Sequence, residues 1–416
     1  MIKLFSITVG FFANFYIASL LTKDDFGIFS AMVSLLSLCL VFSNMGLSLS
    51  IVDLFPKTQT KINLLQLRKK TIYFSICSSF IVGLGASIYA LSANLITAEI
   101  PFYFSISIFV LIVLFQNIHS SNIATLRSLQ FFRTALSLES VLFNVMLVVA
   151  IYYLFIYFNI GILFSFLLAT LLSFLLSTVF SFKKIAQFQG LETSTHNSKV
   201  LTLNFKSLLP FMLLGLVEVI TTNLDVLLVR HFFGNEQTAD YFLAKKMLVL
   251  FTFFWFVYNF IYTPKLSKLF INSNQIDHKA VVSILQLKWP ILMFSTVCML
   301  LVNVLFDDLI SFVNLEQYSN AKLYVQFFSL FAFIHILTGP VVSFLNVAGL
   351  SSYSFKVVSF GALVFLMTFY PLLSHYGVVG ILLSLNLSLL AWKVIGIYII
   401  RKYTGFNLLI GSYIND

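Results

Sequence analysis

The chain has 416 residues, of which 60% are hydrophobic, 17% aromatic and only 10% charged, and its mean hydropathy is +0.99. A soluble domain carries charge on about 25% of its residues, so this composition excludes a soluble enzyme and a disordered chain. The net charge of +10 rests on too few charges for a nucleic-acid-binding surface, and what remains is a polytopic membrane protein whose basic excess reports topology.

A spanning helix takes about 20 apolar residues. In chain order, spans are expected near 4–21, 28–52, 72–96, 102–122, 136–157, 160–182, 207–230, 241–263, 289–306, 323–346, 357–374 and 378–400. No signal-peptide cleavage pattern opens the sequence, so the first span is expected to be retained. Cys39, Cys77 and Cys298 lie inside apolar runs and read as small buried hydrophobes, with no disulfide or metal site implied.

Lysine and arginine test this count. With the N-terminus in the cytoplasm, 19 of the 25 basic residues fall on cytoplasmic segments, among them Arg68, Arg127, Arg133, Lys183, Lys265, Lys288 and Arg401. Five lie outside or near the outer edge: Lys23, Arg230, Lys245, Lys246 and Lys322. Lys393 sits within a span. That bias predicts twelve spans with both termini cytoplasmic. No connection is long enough to be a domain, and no GxxxxGK[ST] phosphate loop occurs, so transport driven by a P-loop is not expected.

Four short strings recur in the same order in each half. GIFSA (Gly27–Ala31) pairs with DYFLA (Asp240–Ala244), Pro56-Lys57 with Pro264-Lys265, Ser128/Phe132/Arg133 with Ser351/Phe355/Lys356, and GILFS (Gly161–Ser165) with GILLS (Gly380–Ser384). The displacements run from 208 to 223 residues. Six spans is an even number, so the repeat is expected to be parallel, about an axis normal to the membrane. The organisation expected is a six-helix bundle over 1–182, a cytoplasmic linker over 183–206 and a second six-helix bundle over 207–416.

Several stretches resemble one family. LTKDDFGIFSAMVSLLSLCLVFSNMGLSLSI (Leu21–Ile51) is similar to the opening of bacterial polysaccharide exporters. SLLPFMLLGLVEVITTNLDVLLVRHFFGNEQTADYFLAKKM (Ser207–Met247) carries the polar-x-x-Asp motif at Thr222–Asp225, then a Gly-x-acid turn and a Tyr-x-x-Ala-x-Lys segment. EQYSNAKLYVQFFSL (Glu316–Leu330) and HYGVVGILLS (His375–Ser384) also fit. Lys23 departs from the family's usual Gly-Pro. The chain thus resembles the Wzx branch of the multidrug/oligosaccharidyl-lipid/polysaccharide (MOP) exporter superfamily. The resemblance implies an all-α, MATE-like fold of two bundles around a cavity opening alternately to each side. It further implies a flippase in the bacterial cytoplasmic (inner) membrane, moving an undecaprenyl-pyrophosphate-linked oligosaccharide for O-antigen or another surface polysaccharide. No catalytic residue, metal or cofactor is implied. A polysaccharide polymerase and a chain-length regulator are the protein partners implied. The alternatives are a cation-coupled drug or metabolite exporter of the same fold and a membrane glycosyltransferase or polymerase; the latter lacks the external loop such enzymes use.

A cavity for such a substrate needs polar groups for sugar hydroxyls and a few cations for phosphate. Glu218 and Asp225 are two helical turns apart on span seven; they are candidates for ion coupling, or for a structural ion pair. Lys245 and Lys246 either meet pyrophosphate or snorkel outward. Arg127 and Arg133 either gather pyrophosphate at the cytoplasmic mouth or anchor the topology. Lys393 is a cavity cation or a snorkelling one. His335 is a proton-linked group or a packing histidine beside the kink expected at Gly339-Pro340. Asn14, Asn44, Asn259, Asn303 and Asn386 are expected to hydrogen-bond between helices, or to meet sugar. Asp24-Asp25 are expected to cap a helix.

Overall fold

The computed structural model describes residues 2–48, 51, 61–93, 95, 102–129, 131–157, 161–189, 215, 223–271 and 278–413. It divides into two compact units, Met1–Leu227 and Leu228–Asp416. The linker expected over 183–206 falls outside the described residues from position 190 onward.

The first unit contains α1 (Ile2–Leu20), α2 (Lys23–Asn44), α3 (Lys61–Ser92), α4 (Phe102–Ser128), α5 (Phe132–Leu136), α6 (Phe143–Ile156) and α7 (Ile162–Gln189). Between α5 and α6 the chain forms a π-helical segment, Ser137–Leu142. The start of α2 is a side-chain cap: the Thr22 hydroxyl accepts from the Asp25 amide at 3.2 Å and donates to Asp25 Oδ2 at 2.7 Å. Asp24 and Asp25 stand in that first turn, where carboxylates complement the exposed amides and the helix dipole. Helix α4 packs on α2, α3 and α7 and is the centre of the unit.

The second unit follows. Helix α8 (Leu224–Ile271) is two helices joined at Gly234, whose φ of 83° and ψ of −174° break the helical course. A side chain at that φ would be strained, so the Gly-x-acid sequence has become a corner. Arg230 Nε closes it by donating to Asn235 Oδ1 at 2.8 Å. Then come α9 (His278–Gln286), α10 (Lys288–Val304), α11 (Phe306–Phe312), α12 (Ala321–Leu337), α13 (Val341–Val347), α14 (Ser351–Tyr376) and α15 (Val378–Thr404). A two-stranded hairpin, β1 (Phe406–Asn407) with β2 (Ser412–Tyr413), ends the described chain. Its Phe406 and Leu408 are buried in one apolar cluster with Leu266, Leu285, Phe344 and Ile400. The matched strings GIFSA and DYFLA occupy equivalent places: Gly27–Ala31 lie in the first turns of α2 and Asp240–Ala244 follow the Gly234 corner, all buried.

Ten helices are long and apolar enough to cross a membrane among the described residues. Of the other two expected spans, 4–21 is represented by the shorter apolar helix Thr8–Leu20, and 207–230 lies mostly outside the described residues. Large apolar side chains such as Ile81, Tyr103, Met367 and Phe312 are exposed, which water would penalise and lipid does not. The protein is a multi-pass membrane protein. One expectation fails here: of the three cysteines only Cys39 is buried, and Cys77 is exposed. In lipid an apolar run need not face protein, because the acyl chains are as apolar as a core.

Candidate functional site

Polar residues of the first unit converge on α4. Positions 116–122 read Gln-Asn-Ile-His-Ser-Ser-Asn, six polar residues in seven, in the middle of an apolar helix. Asn117 is fully buried. Its amide nitrogen donates to the Ser43 carbonyl on α2 at 3.0 Å and to Ser79 Oγ on α3 at 3.0 Å. Its Oδ1 accepts from Asn44 Nδ2 at 3.1 Å. Ser48 and Ser120 share a hydroxyl bond of 2.9 Å, and Asn122 donates to Ser181 on α7 at 3.0 Å. With no water in the bilayer core, each of these groups must find a protein partner, so the seam fixes how α2, α3 and α7 meet α4.

Beside the seam is a cavity of about 280 Å³, lined in part by Ser48, Gln116, His119, Ser120, Arg127 and Glu139. Arg127 pairs with Glu139, which the π-helical segment carries. One extra residue per turn re-aims a side chain, and such bulges recur at functional sites. The pair is open, with side chains 40% and 41% exposed. Deeper in, the His119 ring nitrogens and Gln116 Oε1 are buried without a protein hydrogen-bond partner. Buried polar atoms are normally satisfied, so this cavity has polar capacity to spare for a ligand's hydroxyls or anionic oxygens.

The second unit holds a different constellation. Helix α12 stops at Leu337, Gly339 adopts a φ of 80°, and Pro340 precedes α13. A helix end leaves its last carbonyls without intrahelical donors, and here two buried lysines supply them. Lys393, 1% exposed on α15, donates to the Gly339 carbonyl at 2.7 Å and to His335 O at 3.4 Å. Lys288, fully buried on α10, donates to Leu337 O at 2.9 Å, to Leu409 O at 2.7 Å and to Leu408 O. The chain's three tryptophans gather here as well. The Lys288 ammonium lies 5.1 Å from the Trp289 ring and that of Lys393 lies 4.8 Å from Trp392. The His335 ring meets Trp255 edge-on at 5.9 Å, and its Nδ1 is buried without a hydrogen-bond partner.

The predicted residues are thus partly assembled. Lys393 and His335 meet at the helix break, and Lys393 turns inward to carbonyls instead of snorkelling. Lys288 and Arg68, which the charge bias assigns to cytoplasmic segments, are buried; the Arg68 guanidinium lies 4.8 Å from the Phe182 ring. Arg127 lines the first unit's cavity, whereas Arg133 is exposed on α5. Asp225 is fully buried in the first turn of α8, and Glu218 lies outside the described residues. Lys245 and Lys246 are half-buried, and the Lys246 ammonium lies 4.3 Å from the Phe242 ring. Of the five asparagines, Asn44, Asn303 and Asn386 bridge helices. Asn14 and Asn259 bond a carbonyl of their own helix. Sequence reading passed over Gln116, Asn117, His119 and Glu139; the polar run at 116–122 was the available signal for the first three.

Among solved structures, the chain is similar to an inward-facing multidrug resistance MATE family transporter of the MOP superfamily. That match has a TM-score of 0.65 and 13% identity, covering 97% of this chain and 94% of the transporter. An outward-facing MATE transporter matches at a TM-score of 0.62 and 13% identity, over 97% and 93%. The lipid II flippase MurJ, in an inward closed conformation, matches at 0.64 and 14%, over 96% of this chain and 86% of MurJ. At such identities these matches establish the fold. No curated protein matches the chain by sequence. A family model described as "Polysaccharide biosynthesis protein" matches residues 1–270. The chain therefore belongs to the polysaccharide biosynthesis protein family and has the fold of the MOP-superfamily exporters.

Proposed function

We propose that the protein is a Wzx-type flippase of the bacterial cytoplasmic (inner) membrane. It carries an undecaprenyl-pyrophosphate-linked oligosaccharide, a repeat unit of O-antigen, lipopolysaccharide or another surface polysaccharide, from the cytoplasmic to the outer leaflet. In this reading twelve spans form two six-helix bundles, 1–182 and 207–416, joined by the cytoplasmic linker 183–206, with both termini cytoplasmic. The bundles work by alternating access. The family match over residues 1–270 carries the reading, and the fold shared with the lipid II flippase MurJ supports it.

The chemistry is binding without bond-making. The saccharide must leave water, and its hydroxyls need replacement partners; Gln116, His119, Ser48 and Ser120 offer them. The pyrophosphate needs cations, and Arg127 at the same cavity can provide a forked pair of donors. Glu218 and Asp225 serve ion coupling, and Lys245 and Lys246 meet the phosphate near the outer edge. The Gly339-Pro340 break, with Lys288, Lys393 and His335 around it, supplies a pivot within α12–α13. The polysaccharide polymerase and chain-length regulator act on the delivered unit.

Deleting the gene from its host tests the reading. Lipid-linked repeat units should then accumulate in the cytoplasmic leaflet and surface polysaccharide should be lost, with wild type restoring both and Asp225→Ala or Glu218→Ala restoring neither. Unchanged surface polysaccharide, together with lost resistance to organic cations, would establish the drug-exporter alternative.

A further inference from the structure

Arg68 on α3 is a buried charge without a counter-ion. It is 8% exposed. Its Nε and Nη2 are buried without a hydrogen-bond partner, and no carboxylate pairs with it among the described residues. The half-buried Phe182 ring on α7 lies 4.8 Å from the guanidinium. A ring face attracts a cation but gives the N–H groups no oxygen lone pair. Arginine does not shed its proton, and a buried unpaired charge is very costly. An anion from outside the chain resolves that cost.

Two observations identify the anion. Nε and Nη2 form the lateral edge of the guanidinium, where two parallel donors match two oxygens of one phosphate. The second observation is the depth of the site. Helices α3 and α4 run antiparallel, since Ser87 meets the Ile106 carbonyl at 3.5 Å and Ser75 meets Ser121 at 3.3 Å. Arg68 precedes Ser75 by seven residues, so it stands about 10 Å further along the bundle, level with the Arg127 end of α4. In the proposed topology this is the cytoplasmic end. Arg127 is already paired with Glu139 there. The exposed face of α3 carries Tyr73, Ile76 and Phe80, which are 69%, 42% and 56% exposed, and it ends in the exposed Lys69 and Lys70. An apolar stripe closed by an aromatic ring and two lysines is the profile of a helix passing from acyl chains to headgroups. The anion that a bilayer supplies at that depth is lipid phosphate.

We propose that Arg68, backed by Phe182, anchors a lipid-phosphate site at the cytoplasmic end of the first unit. The phosphate comes from a bilayer phospholipid or from the carried undecaprenyl pyrophosphate; both present the same oxygens to the same fork. The site does not depend on the flippase reading, because bilayer phospholipid suffices as its ligand.

Hydrogen exchange on the full chain in phosphate-free maltoside micelles tests it. The probes are phosphatidylglycerol, undecaprenyl pyrophosphate, inorganic phosphate and diacylglycerol, which lacks the phosphate. At about ten times the dissociation constant, phosphatidylglycerol should slow opening of residues 68–75 and 178–185 about tenfold, and diacylglycerol should not. Arg68→Met should abolish the protection and should not lower Tm in the lipid-free micelle, since it removes an unpaired buried charge. Arg68→Lys keeps the charge and loses the fork, and should weaken binding severalfold; if the methionine variant does not fold, the lysine variant decides. Displacement of phosphatidylglycerol by undecaprenyl pyrophosphate assigns the site to the carried lipid, and failure to displace it assigns the site to the bilayer; both support a phosphate site. Equal protection by diacylglycerol, equal protection by inorganic phosphate, or unchanged protection in whichever variant folds overturns the proposal. If phosphatidylglycerol protects while deletion of the gene leaves surface polysaccharide intact, the site stands and the flippase reading falls. If no phosphate-bearing lipid protects while the deletion abolishes surface polysaccharide, the flippase reading stands and the site falls.

Discussion

Lys393 and Gly339 are 54 residues apart in sequence, yet the lysine ammonium donates to the glycine carbonyl at 2.7 Å, inside the second unit's helix bundle. A buried ammonium among apolar helices would be very costly alone. The end of α12 provides its compensation, because a helix C-terminus carries partial negative charge and orphaned carbonyls. Lys288 caps the same break from another helix. The break needs the lysines and the lysines need the break.

Replacing either lysine should therefore destabilise the second unit. Lys288→Met takes the ammonium from the buried Leu337, Leu408 and Leu409 carbonyls, at a cost of about 1–3 kcal/mol. Lys393→Met should cost less, because the Gly339 carbonyl keeps the Val341 amide and the His335 carbonyl keeps the Thr338 hydroxyl. Thermal unfolding in detergent, followed by tryptophan emission, should show a lower Tm for each. The double variant should lose less than the sum, since both cap one helix end. Unchanged Tm values would show that the carbonyls are satisfied in another way.

Gly339→Val should strain the backbone at the break. A β-branched residue at a φ of 80° costs about 1–3 kcal/mol. We expect loss of surface polysaccharide at reduced but detectable protein level. Full activity with wild-type Tm would remove the break from the mechanism.

Asn117→Leu should disturb the first unit as a whole. It deletes bonds to α2 and α3 together and takes from the Asn44 amide its acceptor on α4, leaving it only Ser48. Single interhelical bonds in membranes average ~0.6 kcal/mol, so a residue making several should cost about 2 kcal/mol, read as a fall in Tm. Asn122→Leu, with its one bond to Ser181, should cost less. The reverse order would contradict the hub role of Asn117.

Arg127→Ala separates function from stability. Its ion pair with Glu139 is about 40% exposed, and such pairs contribute about 0–1 kcal/mol. Tm should barely move while export of lipid-linked saccharide falls severalfold. Arg133→Ala, on an exposed side chain outside the cavity, should leave both unchanged. A large drop in Tm for Arg127→Ala would make it a structural residue.

The Tyr318 phenol lies outside the spans, and its pKa is raised above the ordinary 10 by burial and then by the charge of Asp240. Its neutral form is favoured in the fold. This contribution to stability is complete below pH 10 and is lost as pH rises through the higher folded value. Tyr318→Phe should make unfolding less sensitive to alkali. An unchanged alkaline profile would mean that another group sets it.

Composition and charge placement alone determined that this chain lies in a membrane. A bilayer demands long apolar helices, and the Lys/Arg bias orders their ends; both signals are local or additive along the chain. The corner at Gly234 and the break at Gly339-Pro340 were legible for the same reason, since glycine and proline act on their own backbone. The polar run Gln116–Asn122 was written in the sequence, but its meaning required knowing that Ser43, Ser79 and Ser181 from three other helices face it. Burial of Lys288 and Arg68 was not legible at all. A lysine beside a span end reads as an anchor, and only the folded chain, by bringing the end of α12 and the Leu408–Leu409 turn to its ammonium, decides that it faces carbonyls instead of water.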